Sequence, residues 1–166
     1  GIDHHEPGDS SPHPNVLLHS IVTSAAGLAW FLSRDLLQNL GREIPSDLLS
    51  LAAISVICDM VPLVGVNRSF VKFGLKELNR TSRPGLLALF EAASLTSPVD
   101  LTTYHIGFVI GPRLNSMGRL KDALDSLRLL CTKNPGQARE LAHVLNETNR
   151  ERQDLTESAL SHALSS

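Results

Sequence analysis

Gly1-Ile2-Asp3-His4-His5-Glu6-Pro7 is the stretch that decides how this chain is read. It sets a carboxylate and two imidazoles side by side, and Pro7 followed by Gly8 stops any regular element from running on. The picture is a strand or tight segment that ends and exposes its polar tip. Neutral imidazole and carboxylate are good ligands for Mn, Fe or Zn, and a carboxylate can also hold a ligating imidazole through a hydrogen bond. Adjacent residues point in different directions, so one histidine can ligate a metal while the next faces a substrate. A polar surface loop with two histidines is the competing reading of an isolated triplet. The rest of the chain has to decide between them.

A chain of 166 residues is one domain's worth and long enough for a real core. Its formal net charge of −2 gives no bulk basic signature, so nucleic-acid binding must come from local clusters. The two cysteines, Cys58 and Cys131, lie far apart and form no paired ligand spacing. Free, buried thiols in a reducing, cytoplasmic setting are the expectation. No apolar run is long enough to span a bilayer. The chain opens on Gly1 and reaches its most chemical stretch within three residues, and its last helical pattern has no stop signal. Both features lead to the expectation of a piece from a longer protein.

Residues 8–14 read as a loop, and Asn15-Val16-Leu17-Leu18 as a short strand ending at His19, a polar residue closing an element. Thr23 or Ser24 caps a helix that runs to Leu40 and stops at Gly41, with Trp30 as a core or interface anchor. Leu48 to Cys58 is apolar nearly all round, as a core helix or a helix running into a strand. It ends in Asp59, and a carboxylate closing an apolar run is costly unless paired, hydrogen-bonded or metal-bound. Asn67 to Leu78 reads as a helix on which Arg68, Lys72 and Lys76 form a stripe. A solvated face is the ordinary account of such a stripe, and a track along a phosphate backbone is the other.

Pro84 opens a short helix, followed by a loop through Ser94, Thr96, Ser97 and Pro98. Leu101 to Ile110 reads as helix, and Gly111-Pro112-Arg113-Leu114-Asn115-Ser116-Met117-Gly118-Arg119 as a loop. Glycines let a backbone approach a ligand and arginine suits bidentate phosphate binding, so that loop is either a phosphate contact or a plain connection. Leu120 to Leu130 is an amphipathic helix. Asn134 caps and Pro135 opens a last long helix whose apolar row is Leu141, Leu145, Leu155, Leu160 and Leu164. Its middle, Asn146 to Asp154, is polar, as in helices that connect domains.

Four stretches standing in order carry a resemblance: residues 1–7, Cys-Asp-Met-Val-Pro-Leu-Val-Gly-Val-Asn-Arg at 58–68, the Gly-Pro-Arg-Leu-Asn stretch at 111–119, and Leu-Asn-Glu-Thr-Asn-Arg-Glu-Arg-Gln at 145–153. Together they resemble the DHH phosphoesterase superfamily and, within it, the RecJ-type single-strand-specific exonucleases. The resemblance covers nearly the whole chain. It implies an α/β fold for the parent DHH domain, of which this piece is mainly α-helical with one or two strand remnants at its N-terminus. It implies that residues 1–134 are the C-terminal part of the DHH catalytic domain and 135–166 a connector helix leading to a second domain.

The resemblance further implies a two-metal phosphodiesterase run by Mn²⁺, or by Mg²⁺, with two cations about 3.5–4 Å apart in the complete site. His4 and Asp59 are then metal ligands, His5 faces the scissile phosphate, and Asp3 supports the site as a hydrogen-bonded neighbour or a ligand. Arg113, Asn115 and Arg119 become candidate contacts to the nucleic acid. The family's earlier Asp-x-Asp and lone Asp motifs are not in this sequence, so the piece alone is expected to be inactive. Exposed apolar surface is expected to leave it marginal or prone to associate. The implied activity is 5′→3′ degradation of single-stranded DNA in repair and recombination, with DNA and other repair or replication proteins as partners. Alternatives are an oligoribonuclease or cyclic-dinucleotide phosphodiesterase of the same superfamily, or a non-catalytic replication scaffold.

Overall fold

The computed structural model describes residues 1–6, 15–95, 100–120 and 123–165, with the side chains of 117–120 outside the description. The expected loops at 8–14 and 96–98 therefore lie outside the described residues. The described residues are 69% helical beside one two-stranded parallel sheet. It divides into two compact units, Gly1–Arg80 with Leu101–Ile106, and Thr81–Asp100 with Gly107–Ser166.

In the first unit, β1 (Ile2–Asp3) pairs in parallel with β2 (Leu18–His19), Ile2 opposite Leu18 and Asp3 opposite His19. The strand expected at 15–18 is thus shorter and sits later. Ser24 caps α1 (Ala25–Asn39), its hydroxyl accepting from the Gly27 N–H at 3.2 Å. The helix closes at Gly41, whose φ of +67° places it in the left-handed region. The Arg42 N–H returns to the Leu37 carbonyl and the Gly41 N–H to Gln38, which helps satisfy the carbonyls at the end of the helix.

The apolar run is one helix, α2 (Leu48–Cys58), with Ala52, Ala53, Ile54 and Val56 buried. It packs on α3 (Gly65–Leu78), and Val56, Ala52, Phe70 and Val71 form the core beneath Trp30, Phe31 and Leu75. Burying a Val or Phe side chain contributes about 1.5–3 kcal/mol each. Trp30, Phe31 and Phe70 meet edge to face at 5.3–5.4 Å. Gly74 makes the close approach possible, since a Cβ there would lie 2.4 Å from Ala53 Cβ and 2.7 Å from the Leu49 carbonyl. The outer side of α1 keeps Leu32, Leu36 and Leu40 about half exposed or more.

The second unit is helical. Pro84 opens α4 (Pro84–Ala92), where its missing N–H has no intrahelical acceptor to lose. That helix ends on Ser94, held at φ 59°, with the Leu95 N–H returning to Phe90. Asn134 caps α7 (Pro135–Ser165), its side-chain oxygen accepting from Gly136 and Gln137. Leu129 of α6 (Leu124–Cys131) and Leu145 of α7 are fully buried.

Two expectations are corrected here. The Gly111–Arg119 stretch is not a loop but lies in α5 (Gly111–Leu120), which continues a π-helix, His105–Ile110. Pro112 removes an N–H and crowds the carbonyl four residues back, and the wider π turn just before it accommodates both. Arg113 Nη1 then donates to the Val109 carbonyl at 2.7 Å. Ile106, Ile110, Gly111 and Ser116 are buried, a helical face that the glycines and proline conceal in the sequence. In α7 the expected apolar row is buried only at its start: Leu145 is buried and Leu141 half-buried, but Asn146, Thr148 and Asn149 are buried too, whereas Leu155, Leu160 and Leu164 are exposed.

Gly74→Ala is expected to lower stability by about 1–3 kcal/mol through overpacking. Ser94→Gly relieves a left-handed residue and is expected to raise it by roughly 0.5–1 kcal/mol. Denaturant midpoints of the two variants should move in opposite directions, and an unmoved Gly74→Ala midpoint would contradict the close helix contact.

Candidate metal centre

β1 delivers the Asp-His-His triplet, and β2 and α1 hold it from either side. Asp3 Oδ1 gathers three donors: the His4 N–H at 2.8 Å, the His5 N–H at 3.3 Å and His5 Nδ1 at 2.8 Å. These contacts, the His5 side chain first, pull the Asp3 carboxyl down to about 2. It is therefore ionised at neutral pH and can only accept, so His5 Nδ1 carries a proton. The neutral His5 ring then keeps its lone pair on Nε2, on a side chain 78% exposed. His19, expected to be a satisfied polar residue, donates from Nε2 to the His5 carbonyl at 2.8 Å and fixes the backbone of the triplet.

His4 turns the other way. Its Nδ1 accepts the N–H of Ala25, the first residue of α1, at 3.2 Å. Its Nε2 lies 3.7 Å from Asp59 Oδ2. Asp59 closes α2, and Met60, at φ 53°, turns the chain away in a left-handed conformation unusual for a side chain of that size. Ser55 Oγ donates to Asp59 Oδ2 at 3.1 Å. Asn67 anchors the loop beyond Met60, its amide donating to the carbonyls of Pro62 and Val22. The loop after Asp59 is thereby tied to the loop before α1.

The electrostatics favour a cation. The Asp59 carboxylate stands at the C-terminal, negative end of the α2 dipole, where negative charge is disfavoured. A separation of 3.7 Å is too long for a hydrogen bond. It matches two ligands of one ion, each about 2.1 Å from it and so roughly 3–4 Å apart. Donor atoms of Asp3, His4 and His5 also fall within 4.8 Å of one another. Two imidazoles and two carboxylates are a donor set suited to Mn, Fe or Zn. One adjustment is required. With Nδ1 accepting from Ala25, the neutral His4 ring carries its proton on Nε2, and ligation there requires that proton to leave and the Ala25 contact to change. Cys58 contributes no thiolate, because burial and the neighbouring Asp59 push its thiol up to about 11. Both cysteines are free, but Cys131 is exposed rather than buried.

The structure thus brings together Asp3, His4, His5 and Asp59, all in the first unit. Arg113 and Asn115 lie in the second. Arg113 is half-buried, its Nε donating to Asn146 Oδ1 at 3.0 Å, and burial followed by the Arg150 charge lowers its pKa. Asn115 is exposed on α5. The Arg119 side chain lies outside the described residues. Sequence reasoning passed over Ser55, Asn67 and the Ala25 N–H. Ser55, four residues before Asp59 on a helix, carried a readable signal.

No protein-family model matches the chain. Its curated relatives are single-stranded-DNA-specific exonucleases. They bear the name RecJ: the chain is 36% identical to the Thermus thermophilus protein over 95% of its own length and 32% identical to the Escherichia coli protein over 98%. It spans 24% and 32% of those relatives' lengths. A crystal structure of exonuclease RecJ bound to manganese superposes with a TM-score of 0.86 at 34% identity, covering 97% of this chain and 42% of that one. The Thermus thermophilus RecJ structure in complex with Mn²⁺ gives 0.85 at 35%, covering 96% and 25%. Over nearly its whole length, then, this chain is a homologue of one segment of RecJ and shares that segment's fold.

The Asp3 carboxyl resonance is expected to titrate with a midpoint near 2. An acid whose folded pKa is depressed stabilises the fold above its unfolded value near 4 and loses that contribution as pH falls toward 2. Carbon-detected NMR on the protein and on its His5→Ala variant checks this. An unshifted Asp3 midpoint in both would remove the Asp3–His5 contact from the site.

Proposed function

We propose that this chain supplies part of the metal centre of a RecJ-like, metal-dependent exonuclease that degrades single-stranded DNA from the 5′ end, acting within a longer protein. The observation that carries this reading is the meeting of His4 Nε2 and Asp59 Oδ2 at 3.7 Å, from segments far apart in sequence, beside an Asp3–His5 pair. The solved relatives hold Mn²⁺ or Mg²⁺, and the donor set here suits the same ions. When bound, a pair of such cations neutralises the phosphate and supplies hydroxide at neutral pH.

The protein's own residues then divide the work. His4 and Asp59 hold a cation. His5, exposed and fixed by Asp3, presents Nε2 to a phosphate oxygen and donates to it when protonated. Asp3 keeps the His5 ring in that tautomer and orientation, as carboxylates do behind functional histidines. On this reading residues 1–134 are the C-terminal part of a DHH catalytic domain and α7 leads on to a further domain. Asn115, Arg113 and Arg119 contact the DNA backbone, although Arg113 already spends two donors inside its own unit. Cytoplasmic repair and recombination are the setting in which such an activity fits. Among the described residues no helix is long and apolar enough to cross a membrane.

The full-length protein, given Mn²⁺ and a 5′-phosphorylated single strand, is expected to release mononucleotides. His4→Ala and Asp59→Ala should each lower that rate at least ~100-fold, and Asp3→Asn by roughly 10–100-fold, with strand binding retained. Undiminished release in either ligand variant would refute the assignment, and no release from the unmodified protein would refute the activity.

A further inference from the structure

α3 presents a row of cations that the metal centre does not use. Arg68, Lys72 and Lys76 stand four residues apart along Gly65–Leu78, and all three are exposed. Among the described residues no carboxylate pairs with any of them. The helix carries a single acid, Glu77. Beside the row stands Phe73, 48% exposed on a protein surface where a ring of that size gains little from water. The Lys72 and Lys76 ammonium groups lie 5.6 and 5.7 Å from its ring centroid.

Each of these features alone is ordinary. A solvated face accounts for lysines but not for an aromatic ring among them, and a core anchor accounts for a phenylalanine but not for cations around it that have no carboxylate partner among the described residues. Together they match the two elements of single-strand recognition, backbone neutralisation and a flat face for a base. Four residues of α-helix advance about 6 Å, so the three cations span about 12 Å in even steps. That suits the regular charge of an extended strand better than the scattered charge of a folded protein surface. The opposite face of the helix, Phe70, Val71, Gly74 and Leu78, is buried, which holds the row rigid. Arg68 stands next to Asn67, whose amide ties the start of α3 to the loop leading from Asp59. The row therefore begins where the metal-centre loop ends.

We propose that Arg68, Lys72, Lys76 and Phe73 form a track for single-stranded DNA, with phosphates on the cations and a base against the ring. The identity of the strand rests on the exonuclease reading, but the contact is tested without catalysis. In the full-length protein with EDTA present, fluorescence anisotropy measures binding of an oligothymidylate of about 20 nucleotides, longer than a typical single-strand site. The Arg68→Gln/Lys72→Gln/Lys76→Gln variant is expected to bind about tenfold or more weakly at low salt. Its slope of log affinity against log salt should fall by about 2, the value for three phosphate contacts on a single strand. Phe73→Leu keeps an apolar side chain of similar size but no flat face, and should weaken binding ~5-fold or more with the slope unchanged. A control triple, Arg42→Gln/Arg128→Gln/Lys133→Gln, removes the same charge elsewhere and should leave the slope intact.

An unchanged slope in the α3 triple, or an equal loss in the control, overturns the track. The first outcome leaves the row free for an acidic protein segment instead. Because the readout is binding in the absence of metal, failure of the exonuclease activity and failure of the track are separate results.

Discussion

An apolar helix that ends in a carboxylate is the constraint on which the first unit depends. α2 is hydrophobic on nearly every side, so it must be covered, and α1 and α3 cover it through Trp30, Phe31, Phe70 and Val71. Covering it leaves its C-cap residue, Asp59, at the negative end of a helix dipole with one hydroxyl donor, Ser55. The left-handed turn at Met60 and the Asn67 amide then set where that carboxylate points. Packing thus fixes the position of a charge that packing alone does not stabilise. That charge meets His4, at a distance that suits a shared cation better than a direct bond.

The same logic accounts for how much was legible in the sequence. α2, α3 and the Gly41 stop follow from composition and caps, because burial and left-handed turns restrict the residue types they accept. Asp59 was readable as a carboxylate in need of a partner, since a charge closing an apolar run is stable in few other ways. His4, His5 and Asp3 were readable as a group because they are adjacent. Their division of labour was not. Whether an imidazole turns toward Asp3, as His5 does, or toward the start of α1, as His4 does, is settled by strand pairing and by where Ala25 lies.

Two stretches misled for a shared physical reason. The 111–119 run holds two glycines and a proline, which ordinarily break a helix, yet a preceding π turn lets the helix pass through Pro112. The middle of α7 is polar, which ordinarily means solvent, yet Asn146, Thr148 and Asn149 are buried and Asn146 accepts from Arg113. In the first place a local rule gave way to a change of helix type, and in the second to a tertiary contact that supplied the missing partner. The Gly-Pro-Arg-Leu-Asn and Leu-Asn-Glu-Thr-Asn-Arg stretches, read separately in the sequence, turn out to be joined by that arginine and asparagine. In this chain the two stretches thus form an internal structural tie.

The arrangement around His4 shows how a candidate ligand can be held in place without a metal. Its imidazole is held by a backbone N–H on one nitrogen and faces a carboxylate across a gap on the other. The gap leaves Asp59 Oδ2 with the Ser55 hydroxyl as its hydrogen-bond donor. A ligand that binds the folded state alone stabilises it in proportion to the logarithm of its concentration over Kd. A divalent cation placed between His4 and Asp59 would do so here by cancelling the charge that the α2 dipole opposes. A cation bound there would thus couple to the seating of α2 through one carboxylate, because the packing that places Asp59 also places the candidate ligand.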